Sequence, residues 1–469
     1  MERIILHSDM NNFYASVEGL YNPAFRKRPM AVAGDPDARH GIVLAKNYHA
    51  KQYGVQTGDP LWMARQKCPD IVFCEPHYDR YIRFSQMARE IYEEYTDQVE
   101  SFGLDECWLD VTGVQDLFGS GKQIADSIRE RVKIELGLTA SVGVSYNKIF
   151  AKLGSDLKKP DATTVIGHDF QTKIWHLPAD MLLYVGQATY KKLLSHGIKT
   201  IGDLAQTAPA FLERLLGKNG LMLWAFANGL DTLPVSRTGS SRIIKTIGNS
   251  TTAPRDLTTE DDIKIILYIL AESVAERMRG EHFYCRGIQI RIRDNQLFTF
   301  EKQGRLSMPT CTSQDIFQKA YDLFKRHRPT NPVRSLGVRA IQLMTNEFQQ
   351  LSFLEDAVRR QKQEDLERAV DHIRHRFGHF SIQRGIMLLD PPLSRLDPVA
   401  EHTIFSSPFD KIQSIRYTHF LHICIAAFFK LFDDIFFRRK TPGSGNNINN
   451  WLCLYLWNCR TPNMFIFQC

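Results

Sequence analysis

Three acidic residues in two places could do chemistry in this chain. Asp9 follows the apolar run Ile4-Ile5-Leu6, and Asp105 and Glu106 are adjacent in SFGLDECWLD (101–110). Clustered carboxylates repel one another unless a cation joins them. An all-oxygen ligand set suits a hard ion such as Mg²⁺, which keeps positions open for water and phosphate oxygens. The chemistry open to such a cluster is metal-assisted phosphoryl transfer. A plainer reading fits the same residues: an Asp-Glu pair in a turn is commonly just solvated, and an Asp after a strand commonly caps a helix. Spacing alone leaves both open. It does set one condition. Side chains alternate along a strand, so Asp105 and Glu106 can aim at one site only from a turn.

The elements that must position these residues follow from hydrophobic period. Residues 1–10 read as a strand and 11–19 as a helix start. Short strands are expected at Met30–Ala33 and Gly41–Leu44, with a helix through Asn47–Lys51. Tyr81, Phe84, Met87, Ala88, Ile91 and Tyr95 keep helical spacing within 78–98. An acidic hairpin, a helix over 120–136, a strand over 139–144 and a helix over 147–157 come next. The order strand–helix–hairpin–helix–strand predicts an α+β layered sheet of ferredoxin-like pattern. Residues 168–233 read as all-helical, with small glycine turns at 184–187 and 216–220. Residues 234–241 hold breakers and no apolar period. Residues 242–345 return to α+β, with strands at 243–247, 287–293, 297–300 and 337–343 and helices at 259–280 and 313–327. A charged helix covers 355–376. The last sixty or so residues keep no period and hold four of the nine cysteines.

The chain has 469 residues, room for several domains, and a formal net charge of +7, which weakly favours an anionic partner. No CxxC pair occurs, so metal clusters and a disulfide framework are not expected, and reduced thiols in a cytoplasm fit better. The N-terminus opens on a charged strand, so no signal peptide is expected. The apolar run Ile423–Phe429 is far shorter than the roughly 20 residues that span a bilayer.

Four segments carry a resemblance to a known family: HSDMNNFYASVE (7–18), AKNYHAKQYGV (45–55), GLDECWLD (103–110) and SVGVSYNKIFAKLGSD (141–156), with KKP at 158–160. Together they resemble Y-family translesion DNA polymerases of the bacterial DNA polymerase IV type, over residues 1 to about 405. The resemblance implies a multidomain right hand: a ferredoxin-like palm (1–10 and 78–166), small fingers (11–77), a helical thumb (167–233), a linker (234–241) and an α+β little finger (242–345). Residues 346–405 would hold a clamp-binding peptide and the charged helix; 406–469 break with the family pattern, an atypical tail for which folding, disorder and a frameshift or read-through origin all stay open.

The same resemblance implies that Asp9, Asp105, Glu106 and the Met10 carbonyl hold two Mg²⁺ ions. Tyr14 matches the steric gate that excludes ribonucleotides, backed by Phe13. Tyr48, Lys51 and Lys159 match positions that hold the triphosphate. The family commonly has Arg at the place of Lys51, and a lysine gives a point charge where an arginine gives a bidentate fork. Ala45 stands where many relatives carry a hydroxyl. Asp110 reads as structural support. Gly186, Gly217 and Gly220 would offer backbone N–H groups to DNA phosphates. Lys245, Arg291, Arg293 and Arg339 would form a basic sheet face. Gln350, Phe353 and Leu354, in QLSFL, resemble the peptide that docks polymerases on a sliding clamp, with the last pair reversed.

Expected partners are primer–template DNA, dNTPs and the clamp, with no membrane, for a monomer that lacks proofreading and tolerates damaged templates. Two rival readings fit the residues less well. A non-catalytic accessory would typically have lost the carboxylates, and all three are present. A nucleotide cyclase with a similar palm would have no use for the basic second domain.

Overall fold

The computed structural model describes residues 2–34, 41–240, 244–345, 357–396 and 465–467. The chain forms two compact units, Met1–Arg242 and Ile243–Cys469.

The first unit is built on β1 (Ile5–Met10), a strand buried along its whole length. Next come α1 (Phe13–Tyr21), β2 (Met30–Ala33), β3 (Val43–Lys46), α2 (Tyr48–Gln52), α3 (Leu61–Lys67) and β4 (Val72–Cys74). Then follow α4 (Tyr78–Glu93), β5 (Val99–Ser101), β6 (Glu106–Asp110), α5 (Gln115–Phe118), α6 (Gly121–Leu136), β7 (Ala140–Ser145), α7 (Lys148–Leu157) and β8 (Thr163–Ile166). One sheet has the order β5-β6-β1-β7-β8 and a smaller one the order β3-β2-β4. β1 runs antiparallel to both β6 and β7, with Asp9 opposite Glu106 on one side and Ser141 on the other. That is the expected ferredoxin-like order with one strand added.

Strand alternation decides which helices β1 meets. Leu6 and Met10 join Ala88, Ile91 and Tyr92 of α4 and Ile124, Ile128 and Val132 of α6 in one core. Ile5 faces the other way, onto Trp108 and Ala151 of α7. His7 and Asp9 share that second face. The approach of α7 to the sheet requires Gly143. A Cβ there would stand 1.9 Å from the Ala151 carbonyl oxygen, a backbone clash that no rotamer change relieves.

The helical region consists of α8 (Phe170–Ile174), α9 (Gln187–Leu194), α10 (Ile201–Gln206), α11 (Pro209–Leu216) and α12 (Lys218–Ala227). These helices share a core with Ile149, Phe150 and Leu153 of α7. The segment that follows is not a loose tether. Val235 is buried, the Ser236 N–H donates to Glu100 (2.9 Å), and the Thr238 N–H donates to the Asp97 carbonyl (2.9 Å).

The second unit contains β9 (Ile247–Leu257), α13 (Glu260–Gly280), β10 (Phe283–Asp294), β11 (Thr299–Thr310), α14 (Ser313–Arg326), β12 (Val333–Thr345), α15 (Ala357–Phe377), β13 (Ile382–Arg384) and α16 (Pro391–Ser394). Its antiparallel sheet has the order β11-β10-β12-β9. Ile288, Ile290 and Ile292 alternate inward from β10 into the core shared with α13 and α14.

Several expected boundaries are corrected. β4 and β8, three and four residues long, were not foreseen. The strand expected at 41–44 begins at Val43, and Ile42 makes only a bridge to Pro60. The strand expected at 243–247 starts at Ile247 and runs on through Thr251-Thr252. It tolerates Pro254 because β9 is an edge strand, where a missing N–H leaves no partner unpaired. The strand expected at 297 starts at Thr299, because Asp294 accepts from the Gln296 and Phe298 N–H groups and holds a turn there.

α15 is also more than a solvated charged helix. Its inner face carries Glu367, Asp371 and Arg374, each in an ion pair with Arg279 or Glu272 of α13 at 2.5–2.9 Å. Of the tail, only β14 (Phe465–Phe467) is described, antiparallel to β13. No described helix is long and apolar enough to cross a membrane.

Candidate active site

Asp9, Asp105 and Glu106 come together at one end of the β1–β6 pair. Asp9 is opposite Glu106 in register, and the Met10 N–H donates to the Asp105 carbonyl (3.0 Å). Asp105 lies in the turn before β6, and Glu106 opens the strand. Leaving the strand pleat is what lets two consecutive carboxylates serve one place.

Two lysines that follow on the α7 side complete the cluster. Lys152 Nζ lies 3.1 Å from Asp9 Oδ2 and 3.0 Å from Glu106 Oε2. Lys159 Nζ lies 2.6 Å from the same Asp9 oxygen. His7, fully buried, places Nε2 3.3 Å from Glu106 Oε2 and Nδ1 2.9 Å from Ser155 Oγ. Lys152 and His7 were missed from sequence. The signal for His7 was its period-2 relation to Asp9. For Lys152 it was the position four residues before Asp156 on one helical face.

The electrostatics divide the carboxylates. Burial, with the neighbouring Asp9 and Glu106 charges, pushes Asp105 up to about 7. Burial also opposes a charged Glu106, but the adjacent His7 ring and Lys152 ammonium outweigh it and hold that carboxyl down at about 2. Burial keeps His7 below its ordinary value, against the pull of Glu106. Burial also works against a charged Lys152 and Lys159, yet their carboxylate partners, Asp9 foremost, raise both. The donor set is all oxygen, and the crowding that lifts Asp105 is what a divalent cation would relieve. The residues therefore fit such an ion.

Around this cluster, the Tyr14 ring is half-buried and stacks on Tyr81 with centroids 4.1 Å apart and planes 9° apart. Burial, then the Asp105 carboxylate, raises its phenol. Phe13 is fully inside the core, so it backs Tyr14 and presents no surface of its own. Tyr48 opens α2, which Asn47 caps by accepting from Ala50. Burial raises its phenol, with the Lys159 charge opposing and the Asp9 charge adding to the rise. Lys51 is exposed, with Nζ 5.6 Å from the centre of the Tyr48 ring. Ala45 is partly buried in the core. The Asp110 carboxylate accepts from Thr112, a structural bond.

The expected DNA contacts are placed unevenly. Gly186 caps α9 with open space around it. Gly217, at φ +65°, forms the whole turn between α11 and α12. Gly220 is corrected from turn to helix: it packs inside α12, where a Cβ would stand 2.1 Å from the Leu212 carbonyl oxygen, and its N–H already donates to Gly217. Arg291, Arg293 and Arg339 share the outer face of the four-stranded sheet, with Arg339 opposite Gln289. That face also holds Arg305 and Glu301, which were not foreseen; Glu301 lies 3.9 Å from Arg291. Lys245 is exposed just before β9. Gln350, Phe353 and Leu354 lie outside the described residues.

A sheet of ferredoxin-like order with an acidic cluster at one end and two lysines beside it is the arrangement that metal-assisted phosphoryl transfer requires. Comparison with known proteins makes the class specific. Residues 8–156 match the impB/mucB/samB family, residues 244–353 its C-terminal domain, and residues 182–231 the thumb domain described for DNA polymerase-iota. The chain is 54% identical over 399 residues to DNA polymerase IV of Acetivibrio thermocellus, covering 84% of this chain and 100% of that one. It is 38% identical to DNA polymerase IV 2 of Bacillus subtilis, covering 82% and 95%. A solved chimeric Y-family DNA polymerase shares the fold, with TM-score 0.65 and 24% identity over 73% of this chain and 100% of that one. The chain belongs to the Y family of DNA polymerases, in the DNA polymerase IV group. It is a DNA-directed DNA polymerase of the translesion kind, dependent on a divalent metal and acting on primer–template DNA.

Proposed function

We propose error-prone, template-directed DNA synthesis across damaged templates by two-metal nucleotidyl transfer, without proofreading. The observation that carries this reading is the convergence of Asp9, Asp105 and Glu106 with Lys152 and Lys159 at the end of β1. Two Mg²⁺ ions would be held by the three carboxylates and the Met10 carbonyl. When bound, they lower the pKa of the primer 3′-hydroxyl and neutralise the triphosphate.

The chain's own groups do the rest. Tyr48, Lys51 and Lys159 hold the triphosphate oxygens with one phenol donor and two ammonium groups. Tyr14 closes the space a ribose 2′-hydroxyl would fill. Gly186 offers its backbone N–H to phosphates, the Gly217 N–H being taken by the Glu213 carbonyl (2.8 Å), and Lys245, Arg291, Arg293 and Arg339 give a basic face for the duplex. In this reading residues 1–10 and 78–166 are the palm, 11–77 the fingers, 167–233 the thumb and 242–345 the little finger. Gln350, Phe353 and Leu354 are the proposed clamp contact. A cytoplasmic location is part of the same proposal.

Primer extension with Mg²⁺ on intact and damaged templates tests the reading. Asp105→Ala or Glu106→Ala should lower extension by about a thousandfold or more while DNA binding survives. Appreciable extension by either variant sinks the two-metal assignment.

A further inference from the structure

Tyr14 is not held by its own helix alone. Tyr14 and Glu18 are four residues apart on α1 and so share a face. Both reach Tyr81 of α4, a side chain with no exposed surface. Tyr14 stacks on the Tyr81 ring, and the Tyr81 hydroxyl donates to Glu18 Oε1 at 2.8 Å. The Glu18 carboxylate is itself buried, at 2% exposure. It accepts from two further donors on one stretch of chain: His77 Nδ1 at 3.0 Å on Oε1 and Arg80 Nη1 at 2.8 Å on Oε2. Arg80 in turn lies over the Tyr21 ring, 4.1 Å from its centre.

Burying a carboxylate is costly unless it is paired and fully hydrogen-bonded. An apolar side chain at position 18 would fill the same space, but it could not fix the direction of the Tyr81 hydroxyl. We infer that Glu18 is a positioning residue for sugar selection. By holding the Tyr81 hydroxyl, it sets the plane of the ring against which Tyr14 rests, and so sets how far the Tyr14 ring reaches under an incoming sugar. Cys74 brings its sulfur near the same carboxylate, within 4.8 Å of the Glu18 and His77 ligand atoms. Arg80 and Tyr81 already occupy the Glu18 oxygens, so the geometry favours positioning over metal binding.

The inference rests on the reading of Tyr14 as the gate. Its test keeps the two apart, using full-length protein and steady-state incorporation of dCTP and CTP opposite template dG. The readout is the ratio of the two efficiencies, which does not depend on the fraction of protein that is active. Glu18→Gln keeps the size but loses the charge that gathers the three donors. Tyr81→Phe removes only the hydroxyl and keeps the stacked ring, so it guards against a variant that fails to fold. Each should lower the dCTP/CTP ratio by at least about threefold, because small displacements of a positioning group change rates steeply. The fall should come mainly from better use of CTP; a general loss of structure would depress both substrates together. Combining Glu18→Gln with Tyr14→Ala should add nothing to Tyr14→Ala alone, since the positioned group is gone. If both single variants keep the ratio within about twofold of wild type while Tyr14→Ala collapses it, Glu18 does not position the gate and the gate reading stands. If Tyr14→Ala itself leaves the ratio intact, the gate reading fails and this inference fails with it.

Discussion

Asp105 and Glu106 are adjacent, yet their environments send them in opposite directions, and the pH response follows from that. Asp105, raised to about 7, takes a proton more readily in the folded chain than in the unfolded one. Without metal, its contribution to stability is present at low pH and is lost as pH rises from about 4 to about 7. Glu106, held at about 2, contributes stability that is present above about 4.5 and is lost as pH falls toward 2. A divalent cation needs Asp105 ionised, so it must displace that proton. Its affinity should therefore fall about tenfold per pH unit below pH 7 and level off above it. A Mn²⁺ titration followed by electron paramagnetic resonance at several pH values measures this. Asp105→Asn should flatten the dependence; a flat wild-type curve would show that Asp105 carries no proton to displace.

At the scale of elements, helix–sheet and helix–helix contacts carry the site and the second unit. α7 delivers Lys152 to Asp9 because Gly143 lets it approach the sheet, and because odd positions of β1 face it. In the second unit, α15 and β13 are fastened by charge. Arg384, almost fully buried, donates to Glu272 (2.6 Å) and to Ser313 Oγ (2.9 Å) and lies over the Tyr268 ring. Removing one partner from a buried pair leaves the other poorly compensated. Arg384→Ala is therefore expected to destabilise the second unit by about 3 kcal/mol or more. Arg384→Met, which keeps most of the shape, should cost less. Urea unfolding of the full chain reads both, and a loss under about 1 kcal/mol for Arg384→Ala would mean that the network does not fasten this region.

For the whole molecule, a net charge of +7 is too modest to specify nucleic acid, and what matters is where the charge lies. Arg291, Arg293, Arg305 and Arg339 gather on one face, with Glu301 among them. Neutralising Arg291 and Arg293 together should lower the log–log salt slope of DNA binding by between about one and two. The lower figure applies if Glu301 already offsets Arg291. An unchanged slope would place the duplex on another surface.

The sequence by itself determined the α+β class, the strand under Asp9, the helices under α4, α6, α13 and α14, and the carboxylates themselves. All of these rest on local period and on residue chemistry that any fold must respect. The expectation that Asp105 and Glu106 both occupy the turn is met by Asp105 alone, since Glu106 opens β6 opposite Asp9. The tertiary structure alone decided the rest. Lys152 and His7 join the cluster through contacts between residues far apart in the chain. Gly220 lies in a packed helix because Gly217 alone turns the chain, and the close approach of α11 to α12 leaves no room for a side chain at 220. The charges of α15 turned inward because Arg279 and Glu272 wait on another helix. Glu18 looked like one more acidic residue on α1, and only the arrival of Tyr81, 63 residues later in the chain, gave its carboxylate something to hold. Burial and partners are properties of the packed chain, and no local pattern encodes them.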